Sequence, residues 1–375
     1  MTPVQARSIP FFNYPHLFTS EEEELVAIFR DVGRRGAFIL QQDLERFERN
    51  LASYLGAKHV LGVANATDGL IIAVRAAGLG ADPREEVIFS SHTMVATASA
   101  IHFARATPVP VECGSDHLID PAAVAAAITP RTRAILPTQL NGRTADMDAL
   151  RAIARRHDLA IVEDAAQALG SRFNGQCAST FGAGAAISFF PAKLLGCLGD
   201  GGCVVSSDDN VYDRMLQLHD HGRRADGEII SWGLNSRLDN LQAAILDYRL
   251  DSYPIAIQRR REIAALYQAR LGHLEELTLP PAPASDGRHF DVYQNYEIEA
   301  QRRDQLREHL KSRGIATIIQ WGGKAVHQWP ALGFAQQLPF TDALFERLLL
   351  LPMNLSLTDD ETHEVCDAIE EFYRR

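Results

Sequence analysis

The chain is poor in the features that mark several broad classes of protein. Its 375 residues include only 5 cysteines, Cys113, Cys177, Cys197, Cys203 and Cys366. They are odd in number and show none of the closely spaced pairs of a zinc site or a secreted disulfide framework, so reduced thiols are expected. Positive charge is in deficit: 37 Lys+Arg against 48 Asp+Glu give a formal net charge of -11. Such a chain has no general field to draw in phosphate polymers or anionic lipid, which argues against nucleic acid and membrane as partners. Long hydrophobic runs are missing too. No stretch approaches the roughly 20 apolar residues that span a bilayer, and the N-terminal MTPVQARSIPFFNYPHLF lacks the charged head and apolar run of a secretory leader. A cytoplasmic location is therefore expected. His219 and His221 flank Asp220 in HDHG with no third ligand in view, so no metal is expected there. Internal repeats and low-complexity tracts are absent from the sequence.

What is present is an ordinary globular composition, 46% hydrophobic and 23% charged, at a length that suits two or three domains. From about residue 58 to 207, short apolar runs alternate with amphipathic stretches. This pattern predicts an α/β domain, a parallel sheet covered by helices. The expected strands are EVIFSS (86–91), TPVPVEC (107–113), RAILPTQL (133–140), LAIVED (159–164), AAISFF (185–190) and GCVVSS (202–207). Between the third and fourth, Met147, Leu150, Ile153 and Ala154 recur at helical spacing behind a possible Asp146 cap. Beyond 207 the pattern turns to long helices. Leu238, Leu241, Ile245 and Tyr248 share a face, and Pro254 is expected to interrupt before a second helix running to about Arg270. The Pro-rich loop 279–289 leads into a smaller α+β unit. There DVYQNYEIEA, RRDQLREHLKSRG and IATIIQW read as strand, helix and strand, and the chain closes on a helix. The expected division is a large domain, residues 1–250, that includes the N-terminal helical segment, and a small domain, residues 251–375.

Ligands of open α/β sheets bind beyond the carboxyl ends of the strands, so those ends are where chemistry is sought. IVEDAAQALG is one, with Glu163 and Asp164 at its tip; a carboxylate there suits a protonated ring nitrogen, or else simply caps a helix. Lys193 follows the strand AAISFF and precedes Gly196, Gly199, Gly201 and Gly202. A lysine in an apolar, tightly turned site loses hydration and is pushed toward its neutral form, as a Schiff-base lysine requires; a surface lysine is the plain alternative. In GVANATDGLIIAVRAAG a short strand runs into a helix expected to begin near Thr67. Its free N–H groups and hydroxyl suit a phosphate, or serve only as a cap.

Together these segments resemble the DegT/DnrJ/EryC/StrS family of pyridoxal 5′-phosphate-dependent sugar aminotransferases, of aspartate-aminotransferase fold type I. The resemblance covers nearly the whole chain, from IPFF (9–12) and LERFERNLASYLGAKHVLGVANATDGL through SSHTMVATASAI, ITPRTRAILPTQLNGRTADMDAL, IVEDAAQALGS and SFFPAKLLGCLGDGG to GLNSRLDNLQAAIL. It implies that Lys193 holds the cofactor and shuttles protons, that Asp164 pairs with the pyridinium nitrogen, and that Gln167 bonds the ring hydroxyl. Thr67, the Ala66 backbone and Ser188 match phosphate-binding positions. Asn235 matches an asparagine that reaches the phosphate from the neighbouring subunit, which implies a homodimer with shared sites. The implied reaction is ping-pong transfer of an amino group from glutamate to a nucleotide-linked keto-deoxysugar, through the pyridoxamine 5′-phosphate form of the cofactor.

Three departures from the family pattern bear on this reading. Ala66 stands where the family has glycine, and its methyl tightens the phosphate turn if that backbone is strained. Met94 replaces the aromatic ring that stacks on the cofactor. The segment IQWGGKAVHQWPAL (319–332) replaces a tyrosine–proline run near the substrate, leaving Trp321, Lys324 and His327 as candidate contacts to a base, phosphate or carboxylate. Arg237 either clamps the donor carboxylate or pairs with an acidic neighbour. The rival readings are an aminotransferase acting on a keto-sugar without a nucleotide, such as an octulosonic acid or a cyclitol ketone, and a regulatory or scaffold relative that keeps only the fold.

Overall fold

The structure is a computed structural model that describes residues 8–374. Seven strands form its central sheet: β1 (His59–Val63), β2 (Glu86–Ser90), β3 (Thr107–Val111), β4 (Thr132–Leu136), β5 (Ala160–Asp164), β6 (Gly184–Ser188) and β7 (Gly202–Ser206). Their order across the sheet is β1-β7-β6-β5-β4-β2-β3. Helices cover both faces, which is why β2 is buried at every position and reads as a continuous apolar run. On one face Leu70, Ile72, Phe89 and Val204 share a core, and on the other Ile88, Ile135, Leu150 and Ile161 do.

Every expected strand of this sheet is present, but β7 runs antiparallel to both of its neighbours. Parallel strands need a long crossover, usually a helix. Residues 189–201 hold no helix, so the chain reverses there.

The proline expectation fails. Asn240–Leu271 is one helix that passes through Pro254. A proline inside a helix costs about 3 kcal/mol. Here Leu250, Tyr253 and Ile257 around it are buried against Leu51 and Leu55, and the Tyr253 hydroxyl donates to the Leu169 carbonyl at 2.8 Å. Burial of that face offsets the lost hydrogen bond.

The smaller unit has an antiparallel sheet of β8 (Leu277–Thr278), β9 (Tyr296–Ala300) and β10 (Leu348–Leu351). IATIIQW is not a strand: Ile315 and Ile318 make only isolated bridges, to Ile9 and Leu350, before a tight turn at Gln320–Gly323. The third strand is the leucine run 348–351, which lacks both the alternation and the β-branched residues that announce a strand. Ile9 joins the core of this unit beside Ile298, Leu310 and Ile369.

Candidate active site

The sheet register gathers the site. Ser188, the last residue of β6, pairs with Gly202 at the start of β7, and Gly202 pairs with Val63 at the end of β1. The chain then turns into the helix Ala66–Ala76, whose cap is Asn65; its Oδ1 accepts the Asp68 N–H at 2.9 Å. The helix thus begins one residue before Thr67, and the first-turn N–H groups of Ala66 and Thr67 have no intrahelical partner. Ala66 has no positive φ, so its methyl strains nothing. The tight contact is at Gly202, where a Cβ would fall 2.7 Å from the Asn65 carbonyl carbon and 2.8 Å from the Ala66 nitrogen. The Ser188 hydroxyl accepts the Phe190 N–H at 3.3 Å and keeps its own proton to give. N–H groups and a hydroxyl therefore converge on a cradle with the chemistry of a phosphate site.

Asp164 ends β5, two strands away from β7, and is 4% exposed. Its Oδ2 accepts the Thr97 hydroxyl at 2.6 Å and its Oδ1 the Ala166 N–H at 3.1 Å. Burial pushes its carboxyl up, while Thr97, Ala166 and the charge of Lys193 pull it down; burial prevails. Glu163, one residue earlier, points the other way, where Gln139 and the N–H groups of Ser179, Phe181 and Gly182 occupy it. Alternation along the strand sends the first carboxylate into structure and the second into the site.

Lys193 is hemmed in by protein, and burial lowers its ammonium below the ordinary lysine range against the opposing pull of Asp164. Gln294 grips the backbone on both sides of it: its Oε1 accepts the Leu194 N–H and its Nε2 donates to the Ala192 carbonyl, both at 2.8 Å. Gln167 Oε1 accepts the Asn141 backbone N–H at 2.9 Å, with Asn295 Nδ2 at 3.4 Å. That engages the carbonyl end of the Gln167 amide and leaves its NH2 to face the site.

The other candidates lie further out. Met94, Trp321 and Lys324 line one apolar groove of about 390 Å3 with Trp329 and Leu332, and Lys324 Nζ sits 4.9 Å from the centre of the Trp329 ring. Lys193 and Asp164 are not among its walls. Met94 is 47% exposed. His327 is engaged at both ring nitrogens, by Ser91 at 2.7 Å and Asp342 at 3.0 Å. Asn235 is itself exposed, on the segment before Asn240 in which the buried Ser236 accepts the Ala64 N–H at 3.1 Å. Arg237 meets Asp220 at 3.5 Å, the acidic-neighbour alternative.

Sequence reasoning missed Thr93, Thr97 and Thr138 behind Asp164, Gln294 beside Lys193, and Asn141, Asn295 and Glu297 behind Gln167. The spacing of Thr93 and Thr97, four residues apart in HTMVAT, was the only local signal.

Comparison with known proteins agrees with this geometry. Residues 19–370 match the DegT/DnrJ/EryC1/StrS aminotransferase family. The chain is 38% identical over 98% of its length to a protein of Geobacillus stearothermophilus named a pleiotropic regulatory protein, covering 99% of it. It is 40% identical to a dTDP-3-amino-3,4,6-trideoxy-alpha-D-glucose transaminase of Streptomyces venezuelae, over 98% of this chain and 97% of that one. The crystal structure of S. venezuelae DesV in complex with a ketimine intermediate superposes with a TM-score of 0.93 at 38% identity, covering 98% and 99% of the two chains. The chain therefore belongs to the DegT/DnrJ/EryC1/StrS family of sugar aminotransferases.

Proposed function

We propose that this chain transfers an amino group from glutamate to the keto group of a nucleotide-linked keto-deoxysugar, with pyridoxal 5′-phosphate as cofactor. The observation that carries the reading is the opposition of Lys193 and Asp164, a lysine driven toward neutrality by burial facing a buried carboxylate at the carboxyl end of the sheet. The residues present fit the cofactor. Ala66, Thr67 and Ser188 would hold its phosphate, the close approach at Gly202 forming the cradle. Asp164 would hold its ring nitrogen and Gln167 its ring hydroxyl. When bound, the cofactor supplies an electron-poor ring that takes up the electron pair left as a carbon–hydrogen bond breaks.

This chain's own groups do the rest. Lys193 Nζ removes the proton from the α-carbon of glutamate, which leaves as a keto acid, and in the second half returns a proton to the sugar carbon that receives nitrogen. Asp164 stays an anion and fixes a positive charge opposite it, an electrostatic arrangement that water cannot supply. Gln294 keeps the Lys193 backbone from drifting.

The reading takes residues 1–250 as the cofactor-holding unit and 251–375 as the smaller one, although the helix Asn240–Leu271 runs across that boundary and Tyr253, Ile257 and Val292 pack in the core of the larger unit. It pairs two copies of the chain, Asn235 of each reaching the other's phosphate. Large exposed apolar side chains near that residue, Ile229, Ile230 and Trp232 at 89% exposure, support such an interface. The apolar groove of Met94, Trp321 and Trp329 is the surface the reading gives to the sugar nucleotide, with Lys324 for its phosphates. Relatives named as transaminases carry dTDP-linked or UDP-linked sugars in their names, which favours a nucleotide-linked acceptor over a free keto-sugar. The name of the Geobacillus relative speaks of regulation, but Lys193 and Asp164 have no use in a scaffold.

The test is an absorbance spectrum of the protein with pyridoxal phosphate, before and after glutamate, beside Lys193→Ala. A lysine-dependent band that glutamate bleaches is the expected result. No such band would sink the catalytic reading.

A further inference from the structure

Behind Asp164 lies a row of three buried hydroxyls drawn from two strand ends and the helix that follows one of them. Thr138 follows β4 and is the bridge partner of Asp164 across the sheet. Thr93 follows β2, and Thr97 lies in the first turn of the helix Val95–Phe103. Thr138 Oγ1 is 2.9 Å from Thr93 Oγ1, which is 2.8 Å from Thr97 Oγ1, which donates to Asp164 Oδ2 at 2.6 Å. All three are at most 4% exposed.

Each hydroxyl carries a single proton, and this fixes the direction of the row. A carboxylate only accepts, so Thr97 spends its proton on Asp164. Thr93 must then donate to Thr97, and Thr138 to Thr93. A protonated Asp164 donating through Oδ2 would reverse the row and leave the Thr138 proton pointing outward. Among the described residues the Thr138 hydroxyl has no other hydrogen-bond partner, so the reversed row ends on an unsatisfied buried donor. The charged groups around Asp164 do not compete with this. Lys193, whenever it is protonated, favours the carboxylate, and Glu163 on the same strand is turned away and held by four donors.

We infer that Thr138, Thr93 and Thr97 are positioning residues that act as a one-way hydrogen-bond chain, holding Asp164 as a carboxylate for the ring nitrogen of the cofactor. The inference rests on the role given to Asp164 above. Thr138 touches neither Lys193 nor the cradle; it acts through two other side chains. Polarisation along such a row strengthens the final bond beyond what Thr97 alone provides.

The experiment follows the carboxyl carbon of Asp164 by NMR in the full-length protein carrying carbon-13 aspartate, titrated without cofactor, with Asp164→Asn to assign the signal. Thr138→Val removes the last donor at nearly constant shape, and the midpoint of Asp164 is expected to rise by about half a unit to one unit. Thr138→Ser restores the hydroxyl and is expected to titrate as the unmodified protein does. Thr93→Val cuts the row in the middle and should shift the midpoint in the same direction; it decides the matter if Thr138→Val does not fold. An unchanged midpoint in the valine variants overturns the inference, as does an equal shift in Thr138→Ser, which would mark a packing effect. Because no cofactor is present, these outcomes are separate from failure of the proposed function, which shows instead as a missing lysine-dependent band.

Discussion

Asn141 donates its backbone N–H to Gln167 Oε1 at 2.9 Å, and it does so from a left-handed conformation, φ 55°. The side chain of Asn141 explains why that conformation is kept. Its Nδ2 donates to Glu297 Oε1 at 2.9 Å, and its Oδ1 accepts from Asn295 at 2.8 Å and from Gln320 at 3.0 Å. Residues of the smaller unit thereby set the amide of Gln167, three residues beyond Asp164. Polar side chains linked in this way specify one arrangement when every member is satisfied.

Asn141→Gly tests that link. Glycine keeps the left-handed backbone at no steric cost, so the loss is confined to the side chain. Glu297 then loses one of its donors, and Asn295 and Gln320 each lose their Asn141 acceptor, in a buried setting. Stability is expected to fall by about 1–3 kcal/mol, read from urea unfolding, and pyridoxal phosphate should bind more weakly. An unchanged unfolding midpoint would show that the network carries no weight.

Gly202→Ala addresses the cradle. The new methyl would lie 2.7–2.9 Å from the backbone of Asn65, Ala66 and Ile187, none of which can swing aside as a side chain would. Overpacking of this kind costs about 1–3 kcal/mol. The helix start must also move away from β7, taking the Ala66 and Thr67 N–H groups with it. Cofactor affinity is therefore expected to drop more than global stability does, as a titration with pyridoxal phosphate beside a thermal melt would show.

Much of this was legible in the chain, and the reason is locality. β2, β4, β5 and β6 announce themselves because buried strands are short apolar runs between turns, and Asp164, Ser188 and Lys193 stand out because they end or follow such runs. Pro254 misled because its lost hydrogen bond is local, whereas the burial that offsets it comes from Leu51 and Leu55, far away in sequence. IATIIQW has the composition of a strand, but it finds only single bridges to pair with. The supports behind the site were illegible for the same reason. Thr138 lies 45 residues from Thr93, and Thr97 lies 67 from Asp164. Only the sheet order brings them together.

A pH dependence follows from the far end of the Asn141 network. Burial would lower the His117 imidazole, but hydrogen bonds to Glu297 at 2.9 Å and Glu299 at 3.2 Å outweigh it and push it up to about 9. Burial would raise Glu297, yet the imidazoles of His92 and His117 hold it down at about 2. Folding therefore favours the charged histidine, and its stabilisation is complete below its ordinary value near 6.5 and lost as pH climbs through about 9. The glutamate's share is present above its ordinary 4.5 and is lost as pH falls toward about 2. Melting temperature should thus decline from about pH 6.5 to 9, and Glu297→Gln should flatten that decline because His117 loses its main partner. An equal slope in both proteins would assign the dependence elsewhere.

The proposed sharing of sites between two copies makes the sharpest prediction about the assembly. Lys193→Ala should abolish turnover, and Asn235→Ala should weaken it by loosening the phosphate. In a mixed dimer one site would combine both lesions, and the other would receive Lys193 and Asn235 each from the subunit in which it is intact. At a cofactor concentration low enough to leave the Asn235→Ala protein nearly inactive, co-expressing the two variants should therefore restore activity to roughly a quarter of the unmodified level, since half of randomly paired dimers are mixed and each has one whole site. If each subunit instead builds its site alone, no pairing yields a whole site, and the mixture stays at or below the Asn235→Ala protein at every cofactor concentration. Measuring the mixture against both parents at saturating glutamate, with the dimer content fixed by light scattering, separates the two arrangements.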